Sequence, residues 1–477
     1  MNPEFQRNLW LNLSSGRLIM MPAVLGALLF AASLVPMDMG RQAVAGTAKT
    51  AFWLIVVFWG TYLSARTIVG EIRERTWDGQ RMSSIAPWSM VWGKLFGSTI
   101  YIWYGGAICL AVIFFTTSTA QGPGLALREL GYYLLVGVFA HAVAMLSSLL
   151  AVRRQLRHPG FGVFLYQFLG LAAAFSVASA WPGNWPEGID VPLLWYGGEV
   201  PARSFVLASI GIFAVWAVVG NHRLMRQELQ FTNSPLVWIG FLIFMMAYVA
   251  GFTDLIRWGI DSPELRDVLG RMDLGLTLRL VAAVTTAMVL TYVMVFLDGK
   301  DIVTLRWIGR EASAGRLGNA VSGVPSWGWS LLAVGLVTLA LLVTGQPLDI
   351  AGQIPADFDL DDDLSILARI AEGPYDWRAW FVASFFFLAR DVGIVLLYNA
   401  SAQSRRADFA AFITLLVLYT VLPAIVLTFT SASAASLFFA TPLESPWLAI
   451  VPPVVEAGIA WVLVLARMAR VRAPVPA

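Results

Sequence analysis

Long apolar runs recur along the whole chain, and they limit what it can fold into. A run of about 20 apolar residues in an α-helix, at ~1.5 Å per residue, crosses the ~30 Å hydrocarbon core of a bilayer. Hydrophobic residues make up 58% of the 477, and 13% are charged, against roughly 25% in soluble domains. Because lipid offers no hydrogen bonds to the backbone, these runs predict an all-α fold, a polytopic transmembrane helical bundle.

The runs predict about twelve spans. They lie near 18–36, 48–70, 95–117, 130–152, 160–181, 203–221, 235–256, 277–297, 328–345, 378–399, 409–430 and 446–467. Basic clusters such as Arg153 and Arg223 alternate along the chain with acidic or mixed connections such as the one holding Glu187. Since cytoplasmic connections carry excess Lys and Arg, both termini are expected in the cytoplasm. The strong arginine bias and the lack of an organelle transit segment favour the inner membrane of a bacterium.

The first residues do not have the pattern of a signal peptide, because charges interrupt them and no cleavage site follows a short apolar core. Phe5, Leu9 and Leu13 recur at helical spacing with polar residues between them. This pattern predicts a helix in the membrane interface ahead of the first span.

The two halves of the chain look alike. Arg7-Asn-Leu-Trp-Leu-Asn-Leu-Ser precedes the first span, and Arg226-Gln-Glu-Leu-Gln-Phe-Thr-Asn-Ser precedes the seventh. We therefore predict two six-span repeats, residues 1–221 and 222–477, as in many transporters. The alternative is that basic cytoplasmic connections resemble one another without duplication.

The connection between the second and third spans is the most distinctive polar segment. It runs from Arg66 to Lys94 and contains an acidic residue, a threonine, an apolar stretch, a proline and a terminal Gly-Lys. The residues in that order are Glu71, Thr76, Ile85, Pro87, Gly93 and Lys94. In order and topological place this segment resembles the coupling helix of type-2 ABC exporter permeases, and the helix before the first span resembles their elbow helix. Arg75 and Trp77 depart from the family pattern.

The resemblance implies a permease subunit of an ATP-driven exporter, gripped by a separate ATPase at the coupling loop 71–94. The residues it implies for coupling are Glu71, Arg73, Thr76, Ile85, Pro87, Trp88, Gly93 and Lys94. Charged residues would anchor the flank through ion pairs, and Ile85, Pro87 and Trp88 would supply an apolar plug. The loop at 299–327 lacks this pattern, so it is expected to be a degenerate coupling loop. A solvated loop that only fixes topology is the alternative for both.

The chain carries no Gly-x-x-x-x-Gly-Lys-Ser/Thr phosphate loop, since Trp92-Gly-Lys-Leu lacks both the upstream glycine and the hydroxyl. ATP and Mg are therefore expected on the partner ATPase, in two copies, with no cofactor in this chain. The chain would supply both membrane halves itself, or pair with a second permease copy. Membrane lipids are expected partners, and nucleic acid is not.

Charged residues within the spans are costly in a bilayer and mark functional or paired positions. Arg390 and Asp391 lie mid-span, Glu456 follows Pro452-Pro453, and His141 lies in the fourth span. We expect Arg390 to pair with Glu456 or Asp391, either lining a polar pathway or locking helices together. His141 would relay protons or, more simply, hydrogen-bond across helices. Three histidines and one cysteine predict no metal site and no intrachain disulfide.

Two other classes remain open from the sequence. An ion-coupled secondary transporter would use the intramembrane charges, but the chain lacks the Gly-x-x-x-Asp frame of major facilitator carriers. A membrane enzyme or assembly scaffold would place carboxylates or histidines at one membrane face. The acidic run from Asp357 to Asp363 would bind a divalent cation or form a solvated loop.

Overall fold

The structure is a computed structural model of the full chain. It describes residues 2–35, 37–83, 85–153, 159–181, 192–253, 275–300, 302–344, 377–400, 407–430, 434, 437–440 and 446–470. Within these ranges the fold is an all-α polytopic bundle, as predicted, with 11 helices long and apolar enough to cross a membrane. One two-stranded sheet interrupts the helices in the same ranges.

Eleven of the predicted spans match these helices, and the twelfth is shorter than predicted. The apolar helix at the predicted 235–256 runs only from Leu236 to Ala250. Its 15 residues rise about 22 Å, which is less than the hydrocarbon thickness. The chain turns at 251–253, where a glycine and two polar or aromatic residues follow the run, so hydropathy alone overestimated its length.

The contacts divide the chain into two compact units. Unit 1 comprises Met1–Leu193 and Val200–Asn233, and unit 2 comprises Leu194–Glu199 and Ser234–Ala477. The change at Asn233 falls between the sixth and seventh predicted spans.

Unit 1 begins with a short helix and a span, followed by one long helical segment. The elements up to the third span are α1 (Pro3–Asn12), α2 (Ser15–Ser33), α3 (Met37–Phe52), a π-helical stretch (Trp53–Trp59), α4 (Gly60–Arg73), α5 (Trp77–Arg81), α6 (Pro87–Gly97) and α7 (Ile100–Gln121). They are followed by α8 (Pro123–Arg153), α9 (Pro159–Ala180) and α10 (Ala202–Glu228). The core of the unit lies where α3, α7 and α8 pack together, around Phe52, Ile102 and Val136.

Unit 2 also consists of long helices separated by short ones. Its elements are α11 (Leu236–Ala250), α12 (Gly275–Leu297), α13 (Ile302–Ser313), α14 (Leu317–Gly323), α15 (Ser326–Thr344), α16 (Trp377–Asn399), α17 (Ala407–Leu416), a π-helical stretch (Val417–Val421), α18 (Leu422–Phe429) and α19 (Pro446–Arg470). Pairs α16 with α19 and α12 with α15 make its most extensive packing, around Val334, Leu388 and Val464.

A hairpin precedes α10. Strand β1 (Pro192–Trp195) pairs with β2 (Gly198–Pro201) across Tyr196 and Gly197, whose φ angles are 53° and 76°. Two consecutive positive φ values give the turn whose twist matches paired strands. The Tyr196 hydroxyl donates to the carbonyl of Ala247 at 2.7 Å, so the turn is fixed to α11.

Candidate functional site

Helix α1 lies directly on α6, the helix that contains the end of the predicted coupling segment 71–94. A Cβ placed on Gly93 would lie 2.6 Å from Glu4 Cβ, and one placed on Gly97 would lie 2.8 Å from Asn8 Cβ. The spacing Gly-x-x-x-Gly puts both glycines on one face of α6, where they let a second helix approach closely. The helix predicted ahead of the first span is thus present, and it packs on the end of the predicted coupling segment.

Lys94 lies at the centre of this contact. Its side chain is fully buried, and Nζ donates to Gln80 Oε1 at 2.7 Å and to Glu4 Oε1 at 3.2 Å. Nζ also bonds Glu71 Oε2. These partners come from the end of α4, from α5 and from α1, so one buried cation joins three helices to α6. A buried cation is tolerated only when paired and hydrogen-bonded, and Lys94 meets that requirement.

The other polar groups of the cluster bind the same two carboxylates. Arg7 Nη2 lies 2.8 Å from Glu4 Oε1 and 2.7 Å from Glu71 Oε1. Gln80 Nε2 donates to Glu71 Oε1 at 2.7 Å, and Asn8 Nδ2 donates to Glu4 Oε1 at 3.1 Å. Two cations against two carboxylates leave this cluster neutral. We call Glu4, Arg7, Asn8, Glu71, Gln80 and Lys94 the polar lock.

A tight turn leads from α4 into α5. The Thr76 amide donates to the Glu71 carbonyl at 2.9 Å, and the Arg75 amide donates to the Ile72 carbonyl at 3.2 Å. This pair of bonds is the Schellman arrangement, which needs a left-handed residue. Arg75 takes that place with φ of 58°, a conformation that favours glycine. The departure at Arg75 that the sequence showed is therefore a strained turn.

The lock leaves a continuous surface exposed around α5. Arg73, Thr76, Asp78 and Met82 are exposed, and the Met82 side chain is 84% accessible. Trp77 is buried within unit 1, and Lys94 Nζ lies 5.4 Å from the centroid of its ring. We call the predicted coupling loop 71–94 the connector, and its exposed residues Arg73, Thr76, Asp78 and Met82 the connector tip.

The remaining predicted coupling residues lie at the start of α6. Pro87 occupies its first turn, where the missing amide hydrogen costs nothing. Trp88 is 41% accessible and its ring stacks on His222 of α10 at 4.1 Å. Ile85 is half-buried and packs beside Trp77 and Met90.

The structure therefore divides the predicted coupling residues into two groups. Glu71, Gly93 and Lys94 face inward and hold the segment, whereas Arg73, Thr76 and Trp88 face outward. Pro87 and Ile85 are intermediate in exposure. Glu71 and Lys94 belong to the lock, so the ion pairs expected with a partner are made within the chain instead.

The second connector, 299–327, ends its first helix with the same turn. The Arg316 amide donates to the Glu311 carbonyl at 3.0 Å across Gly315, whose φ is 74°. Such turns are common, and α10 also ends with one, so the turn alone distinguishes nothing. In both connectors the turn starts at a glutamate, and the carboxylate of that glutamate accepts a hydrogen bond from a side-chain amide of the next short helix. Asn319 Nδ2 donates to Glu311 Oε2 at 3.1 Å, as Gln80 donates to Glu71.

The second connector also differs from the first. The residue seven positions after the proline is Lys94 in the first and Leu332 in the second, which is half exposed. Glu311 instead pairs with Arg316, whose Nε lies 2.8 Å from Oε2. Hydrogen bonds from Asn319 and Arg316 lower the pKa of Glu311 below its ordinary value. The glutamate is thus kept charged by the connector itself.

The intramembrane charges of unit 2 form a second polar cluster. Arg390 Nη1 lies 2.6 Å from Glu456 Oε2, and its Nη2 lies 2.8 Å from Asp391 Oδ1. Both Tyr292 and Tyr419 donate to Asp391 Oδ2, at 2.7 and 2.6 Å. The cluster joins α12, α16, the π-helical stretch Val417–Val421 and α19. Arg390 and Asp391 are buried, whereas the Glu456 side chain is 32% accessible.

His141 is buried in unit 1, where α8 passes the π-helical stretch. Its Nε2 lies 2.7 Å from the Val56 carbonyl oxygen, and a Cβ on Gly60 would meet this ring nitrogen at 2.1 Å. Gln167 Nε2 donates to a second carbonyl of the same π-helical stretch, that of Phe58, at 3.1 Å. Among described residues, Nδ1 has no hydrogen-bond partner, so no relay of side chains continues from His141.

Sequence reasoning did not find Glu4, Arg7, Gln80, Tyr292, Tyr419 or Glu311 as members of these clusters. Glu4 and Asn8 stand one helical turn apart in α1, and that polar stripe was a usable signal. Tyr292 and Tyr419 gave no usable signal in the sequence, because hydroxyls in apolar spans are common. The Asp357–Asp363 run and the acidic connection at Glu187 lie outside the described residues.

In the described part of the chain, no group of three or more His, Cys, Asp or Glu side chains is placed to hold a metal ion. No protein-family model matches the chain, and no curated protein or solved structure matches it either. The resemblance to type-2 ABC exporter permeases therefore stays a prediction from the residues of the connector and their place between spans.

Proposed function

We propose that this chain is the membrane-spanning permease of an ATP-driven exporter of the type-2 ABC class, with ATP hydrolysed on a separate subunit. The observation that carries the proposal is the polar lock. It fixes the connector rigidly to α1, α4 and α6 while leaving the connector tip exposed. A loop that only set topology would need no buried three-helix anchor, because the positive charges alone would suffice.

Rigidity at this place has a mechanical consequence. A partner that pushes on the connector tip transmits the force to α4 through Glu71 and to α1 through Glu4. α4 continues through the π-helical stretch into α3 as one helix of 34 residues, Gly40–Arg73, which spans the membrane. Motion at the tip is thereby passed to a whole span. Alternating access or lateral release of substrate would follow from that motion.

The partner would be an ATPase that binds the connector from the cytoplasm of a bacterial cell, with both termini of this chain on the same side. The connector tip offers Met82 as an apolar contact, flanked by Arg73 and Asp78. Apolar anchors ringed by polar residues are typical of interface centres. The local likeness of the two connectors supports one ATPase for each half of this chain.

The test is affinity purification of the tagged chain in mild detergent, followed by mass spectrometry. We expect a stoichiometric ATPase with the native chain and its loss from Met82→Asp, because a charge at the tip opposes apolar docking. Phe231→Asp is a matched control, since Phe231 is 51% accessible and lies outside both connectors. Equal ATPase recovery from native and Met82→Asp would remove the docking assignment.

A second function is favoured by one observation. The cluster of Arg390, Asp391 and Glu456 is buried except at Glu456, as expected of a carboxylate that takes up an ion. An ion-coupled carrier would use it. Repeated purification without any ATPase, together with transport driven by an ion gradient in proteoliposomes, would favour that function over the exporter.

A further inference from the structure

At the end of unit 1 opposite the connector, four basic residues line one cleft. The cleft has a volume of about 660 Å³ and lies among the ends of α3, α7, α8, α9 and α10. Its basic residues are Arg41, Lys49, Arg128 and Arg203. Lys49 and Arg73 belong to one helical segment and are 24 residues apart, a rise of ~36 Å. The cleft and the connector tip are therefore separated by about a bilayer thickness.

The charges in the cleft do not balance. Glu129 is the one carboxylate among the described lining residues of the cleft. It forms an ion pair with Lys49 at 2.6 Å and accepts a hydrogen bond from the Thr117 hydroxyl. Within the described ranges, Arg41 and Arg128 have no ion-pair partner. Arg41 and Arg128 therefore leave two positive charges in a concave site that no described carboxylate offsets.

This excess opposes the distribution of charge expected for a membrane protein. If the connector is cytoplasmic, as the proposed function requires, the cleft opens on the other side, where Lys and Arg are depleted. Basic residues retained against that bias, and gathered from three helices, need another reason. Recognition of an anion supplies one.

We propose that this cleft binds an anionic ligand bearing a phosphate group. A phosphomonoester carries about −1.5 to −2 charge near neutral pH, so it offsets most or all of this excess, whereas one carboxylate offsets only half of it. Arginine presents a planar fork of donors that matches phosphate oxygens.

The apolar residues of the lining indicate which chemical group accompanies the phosphate in the ligand. Leu125 and Trp181 lie beside the arginines, and the Trp181 ring stacks on Tyr132 at 4.3 Å. The cleft thus pairs a cationic wall with a rigid aromatic one. A phosphorylated solute with a flat or apolar portion fits this lining, as does the headgroup of a phosphomonoester lipid.

The experiment measures anion binding to the purified full chain in nanodiscs of phosphatidylcholine, with no ATPase needed. Inorganic pyrophosphate is titrated calorimetrically at constant ionic strength. In a second arm, nanodiscs contain phosphatidic acid, and native mass spectrometry counts the retained lipid. We compare the native chain with Arg41→Gln/Arg128→Gln and with the control Arg17→Gln/Arg66→Gln, which removes two arginines outside the cleft.

We expect saturable binding in at least one arm, weakened tenfold or more by the cleft variant and unchanged in the control. Binding of pyrophosphate identifies a soluble phosphate compound as the source, and retention of phosphatidic acid alone identifies a lipid. No saturable binding in either arm, or equal weakening in both variants, overturns the proposal. The proposed exporter function is tested separately by ATPase recovery, so the two fail independently.

Discussion

The side chains of Glu4 and Lys94, 90 positions apart in the chain, meet with Nζ 3.2 Å from Oε1 in a place that solvent does not reach. This contact fastens α1 to α6, the helix in which the connector ends. Gly93 makes it possible, because any Cβ there would collide with Glu4. The connector is therefore held in place by α1, the helix that precedes the first span.

Replacing Lys94 with methionine should strongly destabilise unit 1. The change removes the buried cation of the polar lock and leaves Glu4 and Glu71 with Arg7 alone as a shared cation. Breaking a buried pair in this way costs ~3–5 kcal/mol. The measurement is the thermal unfolding midpoint of the purified chain in detergent. Adding Glu4→Gln to Lys94→Met should recover part of the loss, since one of the orphaned charges is removed. A midpoint equal to that of the native chain would contradict the role of Lys94 as an anchor.

Gly93→Ala should loosen α1 from α6. Its new methyl group would lie 2.6 Å from Glu4 Cβ, so the helices must separate. Gly79→Ala in α5 is the matched control, because a Cβ at Gly79 meets nothing within 4 Å. We expect a lower unfolding midpoint and faster proteolysis near residue 12 for Gly93→Ala only. Identical behaviour of the two variants would argue against the close approach.

The two connectors offer a reciprocal test of their turns. Arg75→Gly relieves a left-handed arginine and should stabilise by ~1 kcal/mol, reduced by the entropy that glycine adds to the unfolded chain. Gly315→Ala should destabilise by ~1–2 kcal/mol through the backbone alone, since a Cβ there meets nothing within 4 Å. Hydrogen exchange of the amides of Thr76 and Arg316 reads each turn locally. Changes of the same sign at both positions would show that the turns differ.

Arg390→Leu should destabilise unit 2 by ~3–5 kcal/mol, because Asp391 and Glu456 would lose their cation in a buried place. Tyr292→Phe and Tyr419→Phe remove only a hydrogen bond to Asp391 each, so each should cost ~1.5–3 kcal/mol. Thermal unfolding ranks the three variants. If Arg390→Leu folds normally but abolishes transport, the cluster acts in transport rather than in holding the helices together.

Acid should loosen the second connector. Because the pKa of Glu311 is lowered in the folded chain, its ion pair contributes stability that is fully present above the unfolded value, ~4.3. That stability is lost as the pH falls through the lower, folded pKa. Hydrogen exchange of the Arg316 amide should therefore show unchanged protection from pH 7 to ~5 after correction for intrinsic rates, and a loss below ~4. In Glu311→Gln the loss should already be present at pH 7 and should not deepen with acid.

Much of the fold could be read from the sequence, because burial in lipid requires long apolar helices and permits little else. Eleven spans matched for this reason, and the shortfall at α11 arose because an apolar run can exceed the helix it forms. The place of the connector was also readable, since its charges interrupt two such runs.

The candidate sites were only half readable. The pairing of Arg390 with carboxylates could be expected because charges in lipid seek partners. The roles of Glu71 and Lys94 could not be predicted. A charged residue that binds a partner and one that is buried against α1 look the same in the sequence. Helix packing decides between them, and that depends on contacts as distant as Glu4 and Lys94.

The sequence by itself determined the class of protein, the number and approximate limits of most spans, and the position of the connector, since each follows from local hydropathy. Only the tertiary structure decided which charges are buried and which are presented. It gathered Arg41, Lys49, Arg128 and Arg203 from three helices into one cleft and closed the polar lock over Lys94. The physical reason is that hydropathy acts along one helix, whereas the pairing of charges is satisfied between helices.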